Sequence, residues 1–152
     1  MDSLQQLQQR LERLEHVEAA RACVTRYARA CDAGDVGALI EAVFTADAVL
    51  HVPGADYAGR EAIATFYREA FAVKPRLQRH FLASQTVEVL EDGGVAMSSY
   101  FLYLSADAKT VVGCGSYRDL IVVEDGAGRI REKTISIDLM KDLAEAAGAA
   151  PA

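Results

Sequence analysis

Leucines recur at three- and four-residue steps from Leu4 to Leu14, and glutamine, arginine and glutamate fill the positions between them. This spacing predicts an amphipathic helix over 3–33, with Ser3 as its N-cap and Gly34 just past its end. The apolar stripe is expected to continue through the second half of that helix, at Ala20, Val24, Tyr27, Ala28 and Cys31. A helix this long is expected to overhang a small domain at its N-terminal end. Its leucines would then pack either on a partner subunit or on the chain's own sheet, and the pattern does not choose between the two.

Shorter apolar patterns follow this helix. A second helix is predicted over 35–45, where Asp35 is a suitable N-cap. The run AVLHVP, residues 48–53, predicts a short strand because a Pro-Gly turn ends it. A third helix is predicted over 60–72, and Phe66 lies on its apolar side.

The rest of the chain has the pattern of strands separated by Asp- and Gly-containing turns. The four predicted strands are 78–90, 95–105, 110–123 and 129–140. Sequential strands with short links form an antiparallel meander, so the fold class is α+β, with one domain over 1–152 and a frayed tail at 143–152. A sheet that curls around helices makes a cone with one open end and an internal pocket.

Composition narrows the functional classes. The formal net charge of −6 disfavours nucleic-acid binding, because a negative field repels phosphate backbones. No stretch approaches about 18 consecutive apolar residues, so no membrane span is expected. The N-terminus lacks the pattern of a signal peptide, and the three cysteines show no CxxC spacing. These features predict a cytoplasmic protein without a disulfide framework or a metal site.

Asp32 and His80 are the first candidates for chemistry. Asp32 ends the first helix, where the helix dipole disfavours a carboxylate, and it lies about 80° from the apolar face on a helical wheel. It is either a solvated residue at the helix end or a residue with a partner. His80 opens the first long strand, and an imidazole paired with a carboxylate is a common general base because its pKa lies near working pH.

The alternation along this strand does not place His80 in the pocket directly. The positions that share its parity are more polar than the others: Leu82, Ser84, Thr86 and Glu88 against Phe81, Ala83, Gln85, Val87 and Val89. Strict alternation would therefore point His80 outwards. It faces the pocket only if that pocket is partly polar or if a bulge shifts the register.

Four further residues are candidates for contact with a ligand. Lys133 shares its parity with apolar positions of the last strand, which is costly unless the side chain lines a cavity or reaches solvent at an edge. In a cavity its ammonium could stabilise negative charge on an oxygen. Tyr100 and Tyr117 could add hydroxyl groups or be ordinary core aromatics, and Phe66 could shape the pocket.

The order Tyr27, Asp32, His80, followed by GCGSYRDLIVVEDGAGRIREKTISI, resembles the SnoaL-like branch of the nuclear transport factor 2-like superfamily over roughly residues 12–140. By motif the chain is similar to scytalone dehydratase, hexachlorocyclohexane dehydrochlorinase and the bile-acid 7α-dehydratase. The resemblance implies a cone-shaped fold, a homo-oligomer (trimer or dimer), and an Asp–His dyad that works without metal or coenzyme.

Residue by residue, the resemblance assigns the dyad to Asp32 and His80 and a catalytic tyrosine to Tyr27. Lys133 stands where the dehydrochlorinase carries an arginine, which departs from that pattern. The implied function is a cofactor-independent lyase that eliminates water from a small cyclic hydroxylated or carbonyl substrate. An isomerase or cyclase acting on a steroid- or polyketide-like ring, and a non-catalytic binding or assembly module, remain alternatives. The sequence does not identify the substrate.

Overall fold

The computed structural model describes residues 3–72, 77–106 and 110–143. Of the predicted tail, 144–152 lies outside these residues. The helices are α1 (Ser3–Ala33), α2 (Val36–Ala38), which continues into a π-helical turn (Leu39–Val43), and α3 (Arg60–Ala72). The strands are β1 (Phe44–Val52), β2 (Ala55–Ala58), β3 (Leu77–Val89), β4 (Val95–Ala106), β5 (Thr110–Glu124) and β6 (Ala127–Asp142).

The strands form one curved sheet in the order β2-β1-β6-β5-β4-β3. The antiparallel meander predicted for the last four strands is confirmed, and β6 closes on β1 through a parallel pairing. The predicted α+β class is therefore confirmed, with helices packed against one face of the sheet.

The segment after α1 departs from the prediction. Asp35 caps α2 as expected, accepting a hydrogen bond from the backbone N–H of Ala38 at 2.9 Å. The predicted helix 35–45, however, ends at Val43, because Phe44 is extended and fully buried and pairs with Ile130 of β6. Strand β2 was not predicted; it folds back on β1 across the turn that follows Val52.

The apolar positions of α1 form two stripes rather than one. From Ala19 onwards the buried side chains pack on the rest of the domain. The four leucines nearer the N-terminus are between 55 and 64% exposed: Leu4, Leu7, Leu11 and Leu14. Leu11 and Ala20 are nine residues apart, about two and a half turns, which puts them on opposite sides of the helix. The predicted continuous stripe is wrong, and so is the alternative in which the leucines cover the chain's own sheet.

A glycine allows the sheet to bend where β5 crosses β6. The pairing register shifts between Cys114 and Gly115. A Cβ at Gly115 would collide with the backbone oxygen of Ser136 and the ring of Phe101, so only glycine fits. A register shift at a glycine is the kind of irregularity that lets a strand bend sharply.

Candidate active site

The end of α1 leaves the Asp32 side chain available for contacts. Gly34 adopts a left-handed conformation (φ 69°). Its N–H donates to the Cys31 oxygen at 2.9 Å, and the N–H of Asp35 donates to the Ala30 oxygen at 2.9 Å, a pattern known as a Schellman motif. Backbone N–H groups thus satisfy these terminal carbonyls, and the Asp32 carboxylate, which only accepts hydrogen bonds, is left for donors elsewhere.

The Asp32 carboxylate instead holds His80 in two ways. Oδ1 lies 2.7 Å from His80 Nδ1, and Oδ2 accepts the backbone N–H of His80 at 3.2 Å. Strand β3 is at the edge of the sheet, so this N–H has no neighbouring strand on its outer side. Because a carboxylate only accepts, Nδ1 is the nitrogen that donates, and in the neutral imidazole Nε2 then presents the lone pair. Within the described ranges Nε2 has no hydrogen-bond partner.

A bulge in β3 explains why His80 faces inwards. The register between β3 and β4 shifts between Ala83 and Thr86, and Ser84 lies in the left-handed region with φ 51°. Before the bulge His80 and Leu82 point towards the helices; after it the parity reverses and Val87 takes the inner side. A bulge was one of the two conditions under which an inward His80 was expected, and it is present.

His80 lines an apolar cavity of about 470 Å³ between the sheet, α1 and α3. The lining residues are Tyr27, Cys31, Val52, Pro53, Phe66, Tyr67, Ala70, Phe71, Gln78, His80, Phe101, Tyr103, Tyr117, Ile135, Ile137 and Met140. His80 also borders a second recess of about 650 Å³ that contains Asp32, Arg29, Arg79 and Gln85. The side chains of His80 and Asp32 are 12 and 16% exposed, so the pair lies between an apolar and a polar space.

Three buried tyrosines form the polar part of the cavity wall. The hydroxyls of Tyr27 and Tyr67 lie 2.9 Å apart, and the rings of Tyr27 and Tyr117 meet edge to face with centroids 5.6 Å apart. Burial, reinforced by the neighbouring Cys31 thiol, raises the pKa of all three phenols. Tyr27, Tyr67 and Tyr117 are therefore neutral, so they can donate hydrogen bonds but cannot serve as bases.

Lys133 lies on the inner side of β6 but does not line the cavity. Its Nζ donates to Asp119 Oδ1 at 3.0 Å, and both side chains are 0% exposed. The ammonium also lies 4.0 Å from the ring centre of Tyr27 and 3.8 Å from that of Tyr117, so two aromatic faces shield it. The prediction that Lys133 contacts substrate is corrected, because its ammonium pairs with the Asp119 carboxylate and lies against the rings of Tyr27 and Tyr117, outside the cavity.

The other predicted ligand contacts divide between the two faces of the sheet. Phe66 and Tyr117 line the cavity. Tyr100 is 62% exposed on the outer face, near Phe81 and Leu102, since inward and outward positions alternate along β4. The assignment of Tyr100 to the pocket is therefore wrong.

Comparison with known proteins identifies the family of this chain. Residues 12–134 match the SnoaL-like domain. The chain belongs to the SnoaL-like family, within the nuclear transport factor 2-like superfamily. Among proteins with curated descriptions, none matches the sequence significantly.

Solved structures agree with the SnoaL-like fold. The chain is similar to Aln2 from a Streptomyces species, with 27% identity, 80% of this chain and 90% of that chain covered, and a TM-score of 0.73. It is similar to hexachlorocyclohexane dehydrochlorinase LinA-type3 from Novosphingobium barchaimii, with 17% identity, 88 and 94% coverage and a TM-score of 0.78. A protein provisionally named scytalone dehydratase, from Novosphingobium aromaticivorans, gives 18% identity, 86 and 89% coverage and a TM-score of 0.77.

Several residues of this SnoaL-like site were not singled out from the sequence. Tyr67, Asp119 and Gln78 were not among the predicted site residues. Gln78 is buried and donates from Nε2 to the Cys31 oxygen at 3.0 Å, which ties the start of β3 to the end of α1. A polar residue on the inward phase of a strand was the available signal for Asp119.

The described residues of this SnoaL-like chain offer neither a metal cluster nor a membrane-spanning helix. Among 3–72, 77–106 and 110–143 no group of three or more His, Cys, Asp or Glu side chains could hold a metal ion. No helix in the same ranges is long and apolar enough to cross a membrane.

Proposed function

We propose that this SnoaL-like protein is a lyase that eliminates water from a small cyclic hydroxylated or carbonyl substrate, with His80 as general base and no cofactor. The observation that carries the proposal is the 2.7 Å contact between Asp32 Oδ1 and His80 Nδ1 beside an apolar cavity. It leaves Nε2, the basic nitrogen, without a partner among the described residues.

The chemistry begins with an acidic C–H bond of the substrate. His80 Nε2 takes that proton, and the electron pair of the C–H bond forms the new double bond as the neighbouring C–O bond breaks. Asp32 stabilises the imidazolium that results and keeps the ring oriented. Because His80 borders both the cavity and the polar recess, the proton can return to solvent after product leaves.

The departing oxygen takes the electron pair of the C–O bond and leaves as hydroxide, which together with the proton taken by His80 makes up the water that is eliminated. While this negative charge develops, the oxygen requires a hydrogen-bond donor. Tyr27 is buried and neutral, and its hydroxyl is 2.9 Å from that of Tyr67. A pair of linked phenols can donate towards an oxygen in the cavity while each remains hydrogen-bonded, so Tyr27 is assigned this role. Apolar walls exclude bulk water and strengthen such a hydrogen bond.

The named structural neighbours support an elimination. A dehydratase removes water and a dehydrochlorinase removes hydrogen chloride, so both reactions begin with loss of a proton and end with loss of an adjacent leaving group. The fold shared with these two neighbours, together with the Asp32–His80 contact beside the cavity of this chain, supports the proposal.

The test uses a second histidine as control. His51 Nδ1 also lies 2.7 Å from a carboxylate, that of Asp56, but this pair is at the β1–β2 hairpin and lines neither the cavity nor the recess. We expect His80→Ala and Asp32→Asn each to lower turnover by about 10²-fold or more, and Tyr27→Phe to lower it as well, whereas His51→Ala leaves it unchanged. Normal turnover in both His80→Ala and Asp32→Asn would refute the proposed base.

A substrate screen can separate the alternative functions. Hydroxylated cyclic carbonyl compounds would be incubated with the protein in D₂O and followed by NMR and mass spectrometry. A lyase produces loss of one water, whereas an isomerase or cyclase leaves the mass unchanged apart from deuterium exchange at the acidic carbon. Binding without any His80-dependent exchange would indicate a non-catalytic binding protein.

A further inference from the structure

The exposed leucines of α1 follow a seven-residue repeat. Leu4 and Leu11 are seven residues apart, as are Leu7 and Leu14, and the two series are offset by three residues. These are the a and d positions of a coiled coil, in which one helix buries such a seam against another. All four side chains are more than half exposed, on the side of α1 away from the sheet.

The residues around this seam are polar and suit a helical partner. C-terminal to Leu14, the next a and d positions are the charged residues Glu18 and Arg21. The leucine seam therefore ends where α1 begins to pack on its own domain. The segment is not an isolated peptide, because the same helix continues into the core and is therefore already nucleated.

Charge complementarity identifies the partner as a second copy of the chain. With the leucines at a and d, Arg10 occupies a g position and Glu15 the next e position. In a parallel coiled coil the g residue of one helix lies beside the following e residue of the other, so two identical chains place Arg10 against Glu15 twice. Two copies in parallel therefore match both the leucine seam and the flanking charges.

We infer that the N-terminal half of α1 is a parallel coiled-coil interface between two copies of this chain. The interface lies on the side of α1 away from the sheet, and none of its four leucines lines the cavity or the polar recess. This inference is independent of the proposed catalytic function, because it uses no residue of the cavity.

The first test removes the seam. In sedimentation-velocity measurements we expect the wild type to be a dimer or an assembly of several dimers. The double variant Leu7→Ser/Leu11→Ser should weaken this self-association more than about a thousandfold, because four leucines per dimer lose their apolar contacts. Circular dichroism checks that the variant keeps its fold. A monomeric wild type, or unchanged self-association in the variant, overturns the inference. Unchanged self-association would point instead to the outer sheet face around Tyr100.

The second test uses charge reversal and has an internal control. Arg10→Glu and Glu15→Arg should each weaken self-association roughly tenfold, and the double variant should restore it. Arg13→Glu and Glu12→Arg make the same charge changes away from the seam and should have no effect. Leu7→Cys should form a disulfide-linked dimer on oxidation, because the two copies of one d position lie side by side in a parallel coiled coil. Equal effects of charge reversal at seam and control positions, or no cross-link, would exclude this arrangement.

Discussion

Replacing Lys133 with methionine should destabilise the fold strongly. The substitution keeps most of the side-chain volume but removes the ammonium that lies 3.0 Å from Asp119 Oδ1, where both side chains are fully buried. The second oxygen of Asp119, Oδ2, has no hydrogen-bond partner within the described residues. The variant therefore leaves a buried carboxylate without compensation.

The expected loss is about 3–5 kcal/mol of the free energy of unfolding, the usual cost of removing one member of a buried ion pair. For a chain of this size this lowers the melting temperature by roughly 6–20 °C. Lys133→Met/Asp119→Leu should recover most of the loss, because it removes both charges and fills the space with apolar atoms. Arg68→Met, which breaks the exposed 3.1 Å contact with Glu61, is the matched control and should cost less than about 1 kcal/mol.

The loss should also depend on pH. Burial raises the pKa of the Asp119 carboxyl from its ordinary value of 3.8, and Lys133 opposes that rise. Without Lys133 the native pKa rises further while the unfolded value stays near 3.8. A carboxyl with a raised native pKa takes up a proton on folding, so the stability of Lys133→Met is greatest below the unfolded pKa and falls as pH rises through the native one.

Urea unfolding of the wild type and the three variants at pH 5 and pH 8 measures these differences. The reasoning is refuted if the double variant is no more stable than Lys133→Met, or if the difference between Lys133→Met and wild type is smaller at pH 8 than at pH 5.

Two further predictions concern thiols and packing. Burial raises the pKa of Cys23 to about 11 and of Cys31 to about 12, whereas Cys114 is only half-buried. Ellman's reagent at pH 8 should therefore modify Cys114 alone in the native protein. Rapid reaction of a second thiol would contradict the burial of Cys23 and Cys31. Gly115→Ala should lower the free energy of unfolding by about 1–3 kcal/mol, because its Cβ meets the Ser136 oxygen and the Phe101 ring, while Ser116→Ala should be close to neutral in the same urea titration.

The long elements could be predicted because their patterns are local. The bounds of α1 and α3 agree with the periodicity, and the meander follows from four apolar runs separated by turns. The start of β1 could not be predicted in this way. Residues 39–43 have a helical pattern, and the change to extended backbone at Phe44 depends on pairing with Ile130, far along the chain.

The candidate site was predictable in its residues but not in its orientation. Asp32 and His80 were selected from position and residue type together with the family resemblance, and they do lie in contact. The side of β3 on which His80 falls depends on the bulge at Ser84. No glycine marks that position, so the left-handed backbone there is set by the tertiary structure rather than by local sequence.

Lys133 shows how a correct orientation can still lead to a wrong role. Its inward phase was predicted, but inward positions of a curled sheet lead either to the cavity or into its wall. Asp119 lies directly across on β5 and neutralises it, a pairing visible only once the register is known. Of the described residues that line the cavity, none is Lys or Arg. Among these lining residues, the donors that could meet negative charge on a substrate oxygen are neutral until His80 takes up a proton, and this makes Tyr27 and its neighbour Tyr67 the groups on which departure of the oxygen depends in the proposed elimination.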